Sequence, residues 1–151
     1  YDKLDFEFNS FVHKDFNINN LILLPHKKDY LKCGVIDFQS AFWGESSWDL
    51  FSLLEDSRIL FTDDFNEYFI NFFYEKTHQN NSIEDFKKKF YFFNTSRQTR
   101  LLGRWIKLSN ELESKSYLKF LLVTEERLKK SIKFLNDKKI SKFYNKYIFN
   151  I

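Results

Sequence analysis

Two short apolar runs in the first quarter of the chain are separated by a polar turn. Residues 21–24 are Leu-Ile-Leu-Leu, and residues 32–36 form a second run that ends in Val-Ile. Pro25 and a charged stretch up to Asp29 lie between them. Apolar runs of this length, bounded by turn-forming residues, are typical of short buried strands. The pattern predicts a β-hairpin.

Most of the remaining chain has the period of amphipathic helices. A turn and N-cap at residues 44–47 precede a helix whose face carries Trp48 and Phe51, and Asp63 or Asp64 caps the next helix. In that second helix, aromatic residues recur at i, i+3, i+4, i+7 and i+8, which predicts a stripe facing the core. These aromatic residues are Phe65, Tyr68, Phe69, Phe72 and Phe73.

Three further helices follow. Ser82 and Asp85 resemble a capping box and begin a helical stretch to about Leu112, and residues 124–135 and 140–149 predict two more helices. Only three glycines and one proline punctuate the chain, which favours long helices. We therefore expect an α+β, mainly helical fold in which a short β-hairpin precedes a helical bundle.

The composition indicates a folded chain from a reducing compartment. Twenty phenylalanines supply ample apolar material for a core. Cys33 is the single cysteine, which excludes an internal disulfide framework. The sequence contains no apolar run of about 18 residues and no signal-peptide pattern, so we expect a cytoplasmic protein.

The lysine-rich segments 87–89, 129–130 and 138–139 raise the question of an anionic partner. The formal net charge is only +3, and acidic residues are interleaved with the lysines. Such patterning favours solvated helix faces over nucleic-acid binding. We therefore expect neither nucleic acid nor a membrane as a partner, and the sequence does not predict an oligomeric state.

One segment has the spacing of a kinase catalytic loop. His13 is followed by Asp15 after one residue and by Asn20 after a further four residues, as in H-R-D-L-x-x-x-N. An antiparallel hairpin brings Asn20, at the start of its first strand, beside Asp37, just beyond its second strand. Carboxylate and amide oxygens suit Mg²⁺. We predict that Asn20 and Asp37 hold the metal and that the catalytic residue Asp15 orients an acceptor hydroxyl.

A simpler interpretation assigns these residues to local structure. Asp15 and Asn20 are residue types that cap turns, and Asp37 could cap a helix. For any single residue this interpretation is the favoured one. Three such residues on one strand-turn-strand frame favour the catalytic interpretation instead.

The same residues carry a resemblance to a known family. His13, Asp15 and Asn20 resemble the H-x-D-x-x-x-x-N loop of the aminoglycoside phosphotransferase and choline kinase superfamily, which has a protein-kinase-like fold. Residues 36–38, Ile-Asp-Phe, resemble its metal-binding motif. Asp49 matches an aspartate that braces the catalytic loop there, together with His13, although an acidic residue in a first helical turn also suits the helix dipole.

A narrower resemblance extends along the chain. Residues 34–39, 49–58 and 97–108 are similar to the branch of N-acetylmuramate and N-acetylglucosamine 1-kinases, which act in cell-wall recycling. This resemblance implies ATP and Mg²⁺ as cofactors and a small amino sugar as the acceptor. Gln39 and Arg97 are candidate residues for the substrate side, although a structural salt bridge is the simpler role for Arg97. Asn17 departs from the superfamily, which often has His at that position.

The resemblance also implies a missing part. The chain begins with Tyr1, contains no methionine, and shows no Gly-rich loop or strand lysine before His13. We expect residues 1–151 to be a C-terminal catalytic lobe whose N-terminal nucleotide lobe is missing, so that the isolated fragment is inactive. Two alternatives stay open: a degenerate kinase-like binding module, and a kinase for another acceptor such as choline or an aminoglycoside.

Overall fold

The computed structural model describes residues 4, 6, 8, 10–77 and 82–149. Within them it contains four short strands and five α-helices, and the chain divides into two compact units, Tyr1–Asn81 and Ser82–Ile151. The fold is α+β and mainly helical, as the hydrophobic pattern predicts.

The predicted hairpin is present in the first unit, but its strands are exposed or half-buried, so the prediction of buried strands is wrong. Strand β2, Leu21–Leu23, pairs antiparallel with β3, Cys33–Val35, so that Leu21 lies opposite Val35. A 3₁₀ helix, Asp29–Lys32, forms part of the connection, and another, Ile18–Asn20, runs directly into β2. The catalytic-loop motif therefore enters the hairpin through one turn of helix.

A second strand pair was not predicted from the sequence. Strand β1, Ser10–Val12, pairs antiparallel with β4, Phe42–Gly44. The predicted turn and N-cap at residues 44–47 are present, with Ser46 as the N-cap of the following helix, but the turn begins at Glu45 because Gly44 is the last residue of β4. Three-residue strands separated by about 30 residues leave no local hydrophobic pattern to detect.

Two helices complete the first unit. Helix α1, Ser47–Leu54, follows β4 almost directly, and α2 is Asp63–Thr77. The side chain of Asn66 donates to the Leu54 carbonyl and to Glu55 Oε1, each at 3.4 Å. This polar contact joins α2 to the end of α1.

The predicted orientation of α2 is wrong. Its buried residues are Asn66 and Ile70, whereas Phe65 and Tyr68 are exposed. The aromatic side chains instead stack on one another, with Phe61, Phe65 and Phe69 at successive centroid distances of 4.6 Å. The buried hydrogen bonds of Asn66 fix the face that turns inward, so the larger number of aromatic residues does not decide it.

The second unit confirms the predicted helices. Helix α3 is Ile83–Glu111, α4 is Leu121–Leu135 and α5 is Lys138–Tyr147. Ser82 caps α3 by accepting a hydrogen bond from the Asp85 amide at 3.1 Å. A 3₁₀ helix, Lys115–Phe120, connects α3 to α4, and these two helices pack against each other.

The seam between α3 and α4 contains both apolar and polar contacts. Phe90, Trp105 and Leu128 are buried. The indole nitrogen of Trp105 donates to Thr124 Oγ1 at 3.1 Å, which satisfies the polar atom of this buried ring. No helix in the described ranges has the length and apolar content needed to cross a bilayer.

Gly44 has no room for a side chain. A Cβ there would lie 2.6 Å from Phe42 Cε2 and 3.1 Å from Val12 Cγ2. Gly44→Ala therefore has to displace the Phe42 ring, which packs edge-on against Trp48 at 5.8 Å. We expect the free energy of unfolding, measured by urea denaturation, to fall by about 1–3 kcal/mol.

Gly103 provides the control for that substitution. It is exposed within α3, and a Cβ there would meet no atom within 4 Å. Gly103→Ala should raise the free energy of unfolding by about 0.5–1 kcal/mol, because alanine loses less backbone freedom in a helix. Equal destabilisation by the two substitutions would contradict the steric explanation for Gly44.

Candidate active site

The predicted catalytic residue, Asp15, lies on the loop that joins β1 to the hairpin. This loop, residues 13–17, follows Val12 of β1 and leads into the 3₁₀ helix Ile18–Asn20. Asp15 lies at its centre and is exposed, whereas His13 and Asn17 on either side are buried. The loop is therefore fixed at both ends and presents its middle to solvent.

Asp49 holds the first turn of this loop. Its carboxylate accepts a hydrogen bond from the His13 amide at 2.7 Å and another from the Lys14 amide at 3.0 Å. Lys14 has a φ of 76°, in the left-handed region that side chains other than glycine seldom adopt. The indole nitrogen of Trp48 donates to the Lys14 carbonyl at 3.2 Å. Two neighbouring residues of α1 thus fix both sides of a strained peptide.

His13 connects the loop to the hairpin. Its Nε2 donates to the Ile36 carbonyl at 2.8 Å, and its ring lies edge-on to Phe16 at 5.9 Å. Ile36 directly precedes Asp37. The buried imidazole therefore ties the loop to the segment that carries the predicted metal ligand.

Two asparagines converge on one carbonyl. Asn17 Nδ2 donates to the Asp15 carbonyl at 3.0 Å and Asn20 Nδ2 donates to the same oxygen at 2.8 Å. Asn17 Oδ1 also accepts the Asn19 amide at 3.1 Å, which caps the 3₁₀ helix. Since Asn20 Nδ2 is held by the Asp15 carbonyl, the side-chain oxygen Asn20 Oδ1 points away from that bond.

Strand pairing brings Asp37 to the same end of the hairpin. The Ile36 amide donates to the Asn20 carbonyl at 3.1 Å, one residue beyond the Leu21–Val35 pair. Asp37 follows with a φ of 67°, and its carboxylate accepts a hydrogen bond from Gln39 Nε2 at 2.7 Å. Asn20 is therefore linked to Asp15 through its side chain and to the segment containing Asp37 through its backbone carbonyl.

The oxygen atoms near this end fit magnesium. Among the described residues, the Asp15 carboxylate has no hydrogen-bond or ion-pair partner, and Asn20 Oδ1 has none either. Asp37 retains one carboxylate oxygen that Gln39 does not engage. Described residues form no cluster of three or more His, Cys, Asp or Glu side chains for a metal. A carboxylate and an amide oxygen suit Mg²⁺, which usually keeps water and phosphate ligands.

A model of the phosphotransferase enzyme family matches residues 4–79, half of the chain. The chain belongs to this family. The matched range includes every residue of the loop and hairpin described above, so the resemblance inferred from the motifs is confirmed.

Two relatives of this chain have the same name. The chain is 42% identical over 48 residues to an N-acetylmuramate/N-acetylglucosamine kinase of Caulobacter vibrioides, covering 32% of this chain and 13% of that protein. It is 29% identical over 103 residues to an N-acetylmuramate/N-acetylglucosamine kinase of Neisseria meningitidis serogroup B, covering 65% of this chain and 29% of that protein. The chain thus spans less than a third of the length of either relative.

An apolar pocket lies beside Asp49, the residue that holds the first turn of the loop. The pocket has a volume of about 340 Å³. It is lined by Phe11, His13, Phe16, Val35, Phe38 and Asp49. Partial burial of Asp49 raises the pKa of its carboxyl above the usual 3.8. The amides of His13 and Lys14 oppose this shift because they favour the ionised form.

Two residues of this arrangement were missed in the sequence. Trp48 was assigned only to a helix face, although an indole N–H needs a partner when buried. Asn17 was noted only as a departure from the superfamily, although asparagine readily caps a following turn. Both side chains donate hydrogen bonds to backbone carbonyls, and a motif of residue types contains no information about such bonds.

The predicted substrate-side residues differ in their surroundings. Gln39 is exposed and lies against Asp37 through the hydrogen bond described above. Arg97 is a buried residue of α3, in the second unit. The substrate role of both residues stays a prediction, as do the catalytic and metal-binding roles of Asp15, Asn20 and Asp37.

Removing the Asn17 side chain should destabilise the loop. Asn17 is 2% exposed, and Asn17→Ala leaves the Asn19 amide and one lone pair of the Asp15 carbonyl without their side-chain partner. We expect the free energy of unfolding to fall by about 1–3 kcal/mol in urea denaturation. The matched control is Asn19→Ala, because the Asn19 side chain is exposed, and its effect should stay within about 0.5 kcal/mol. Similar losses at both positions would refute the assigned bonds.

The stability contributed by Asp49 should depend on pH. A carboxyl whose pKa rises on folding binds its proton more tightly in the folded chain. Between the two pKa values, the unfolded chain therefore binds fewer protons than the folded chain. The free energy of unfolding of the wild type, relative to Asp49→Asn, should therefore decrease as pH rises from 3.8 through the raised pKa. Urea denaturation of both proteins across this range measures the difference. A relative stability that increases with pH would show that the two amides outweigh burial.

Proposed function

We propose that this chain is the C-terminal catalytic lobe of a protein-kinase-like phosphotransferase that transfers the γ-phosphate of ATP to a small-molecule hydroxyl. The observation that carries the proposal is the Asp15 carboxylate, which is exposed and has no partner among the described residues. Hydrogen bonds to the His13 and Lys14 amides and to the Asp15 carbonyl hold the surrounding loop. A carboxylate kept free on a fixed frame is suited to accept a proton from an incoming hydroxyl. Family membership supports the same reaction class.

Asn20 and Asp37 are the proposed magnesium ligands. When bound, Mg²⁺ neutralises phosphate charge during transfer. Gln39 holds one oxygen of the Asp37 carboxylate, and Asp15 holds the amide nitrogen of Asn20. A hydrogen bond with a neighbouring residue therefore fixes the orientation of both ligand side chains, as it commonly does for the ligands of metal sites.

The proposed acceptor is an amino sugar, N-acetylmuramate or N-acetylglucosamine. The support is that both relatives, which are similar to parts of this chain, are N-acetylmuramate/N-acetylglucosamine kinases. Gln39 and Arg97 are proposed to lie on the acceptor side. A kinase for choline or an aminoglycoside, and a binding module without catalysis, are the competing outcomes of the test.

The decisive experiment compares aspartate variants of the natural protein that carries this chain. Asp15→Asn should lower turnover by about 10²–10⁴ while nucleotide affinity stays near normal, because only proton acceptance is lost. Asp37→Asn should raise the Mg²⁺ concentration required for half-maximal rate, because a carboxylate ligand is lost. Release of ADP is followed with ATP, Mg²⁺ and each of four acceptors: N-acetylmuramate, N-acetylglucosamine, choline and an aminoglycoside.

Asp29→Asn is the matched control. Asp29 is exposed in the hairpin connection with a φ of 50°, a conformation that asparagine also tolerates, so turnover should not change. Turnover with choline or the aminoglycoside alone would retain the phosphotransferase and discard the amino-sugar assignment. A folded, nucleotide-binding protein that turns over none of the four acceptors would favour the binding module.

A further inference from the structure

Positive charge is concentrated near the C-terminal end of the described chain. Residues 129–151 contain seven lysines and one acidic residue, Asp137. The net charge of the whole chain is +3, so the residues before 129 are net negative. Helix α5, Lys138–Tyr147, contains four of these lysines and no acidic residue.

The lysines of α5 differ from those on the neighbouring helices. In α3 and α4, lysines form ion pairs with acidic residues one turn away, as in the pairs Lys88–Glu84, Lys107–Glu111 and Lys129–Glu125. In α5, by contrast, the lysines form no ion pair with any described residue. Lys142 lies one turn from both Lys138 and Lys146, and like charges at this spacing destabilise a helix. An anionic partner would relieve this repulsion.

Two aromatic residues lie among these lysines. Phe143 and Tyr147 are 53% and 50% exposed, and their ring centroids are 5.2 Å apart. Lys146 Nζ lies 4.8 Å from the Tyr147 ring centroid. The residues that share this outward stripe, called the α5 face below, are Lys139, Lys142, Phe143, Lys146 and Tyr147.

The helix that presents the α5 face is anchored in its unit. Asp137 caps it by accepting hydrogen bonds from the Lys139 and Ile140 amides at 2.8 and 3.0 Å. On the other side of the helix, the Tyr144 hydroxyl is 2.7 Å from Thr99 Oγ1 of α3. The exposed aromatic pair therefore lies on a preformed helix.

We infer that the α5 face docks on a membrane surface that carries anionic lipid headgroups. A helix lying in the interface places lysines against headgroup phosphates and aromatic rings at the boundary with the acyl chains. The α5 face supplies both components on one stripe. This inference revises the expectations of solvated lysines and of no membrane partner. The first of these depended on interleaved acidic residues, which α5 lacks. The inference does not depend on the proposed enzyme function.

Single-stranded RNA is the competing partner for such a face. Proteins that bind single strands generally combine a cationic groove with aromatic platforms for successive bases. The α5 face is one convex helix surface without arginine, and its two rings contact each other. These features favour the lipid surface.

The test measures binding of the chain to vesicles by co-flotation. Binding should be strong on mixed phosphatidylcholine and phosphatidylglycerol vesicles, weak on phosphatidylcholine alone, and reduced by salt, which screens exposed charges. The double variant Lys142→Gln, Lys146→Gln should reduce binding to the anionic vesicles by about 30-fold, the factor for two lysines near such a surface. Phe143→Ser should reduce it further.

The controls alter the same residue types elsewhere in the second unit. Lys88→Gln with Lys107→Gln removes one half-buried and one exposed lysine of α3, both of which already have acidic partners. Leu122→Ser removes a 67% exposed apolar side chain of α4. Both control proteins should bind anionic vesicles within about threefold of the wild type. The charge-preserving double variant Lys142→Arg, Lys146→Arg should retain binding.

Three results would overturn the inference. They are equal binding to both vesicle types, an equal loss of binding in the α3 control, and binding of a single-stranded RNA oligomer without binding of vesicles. Circular dichroism of each variant establishes that the helices are intact, so a loss of vesicle binding reports on the altered surface.

Discussion

The loop that carries Asp15 depends on one carboxylate that accepts two consecutive backbone amides. Asp49 binds the amides of His13 and Lys14, and Lys14 adopts a left-handed conformation directly after the second of these amides. Backbone strain of this kind persists only where the surroundings determine it. Asp49 lies in the first turn of α1, and α1 follows β4, which pairs with the strand that precedes the loop. Strand pairing, helix position and loop conformation are therefore mutually dependent.

The hydrogen bonds that hold the loop do not engage the Asp15 carboxylate. Side chains of Asp49, Trp48, Asn17 and Asn20 bind the backbone of His13, Lys14 and Asp15. None of these bonds uses the Asp15 carboxylate. Because hydrogen bonds to the backbone fix the position of a residue without engaging its side chain, the arrangement is compatible with a carboxylate that meets a substrate. The cost is a partly buried Asp49, whose raised pKa reflects the loss of water around its charge.

Much of the fold could be predicted because its signals are local. The hairpin follows from two apolar runs and a polar turn, and α3 follows from the Ser82 cap and a sustained helical period. The β1–β4 pair could not be predicted, since its partners are three residues long and distant in sequence. The face of α2 was predicted wrongly because periodicity counts apolar residues, whereas Asn66 decides the orientation through two specific hydrogen bonds. Local patterns thus identify elements better than they identify the faces that pack.

In the candidate site, too, the sequence pattern predicts which residues meet but does not predict which atoms bond. The spacing of His13, Asp15 and Asn20, followed by Asp37 beyond a hairpin, identifies which side chains can meet. It does not identify which backbone carbonyl each amide will bind, because that depends on the φ angle of Lys14 and on a helix 30 or so residues later. Asn17 illustrates the consequence: at a position where the superfamily often has His, its amide supplies both a donor to Asp15 and a cap for the following turn. A departure from a motif can therefore support the loop when the substituted side chain offers a hydrogen-bond donor and acceptor of its own.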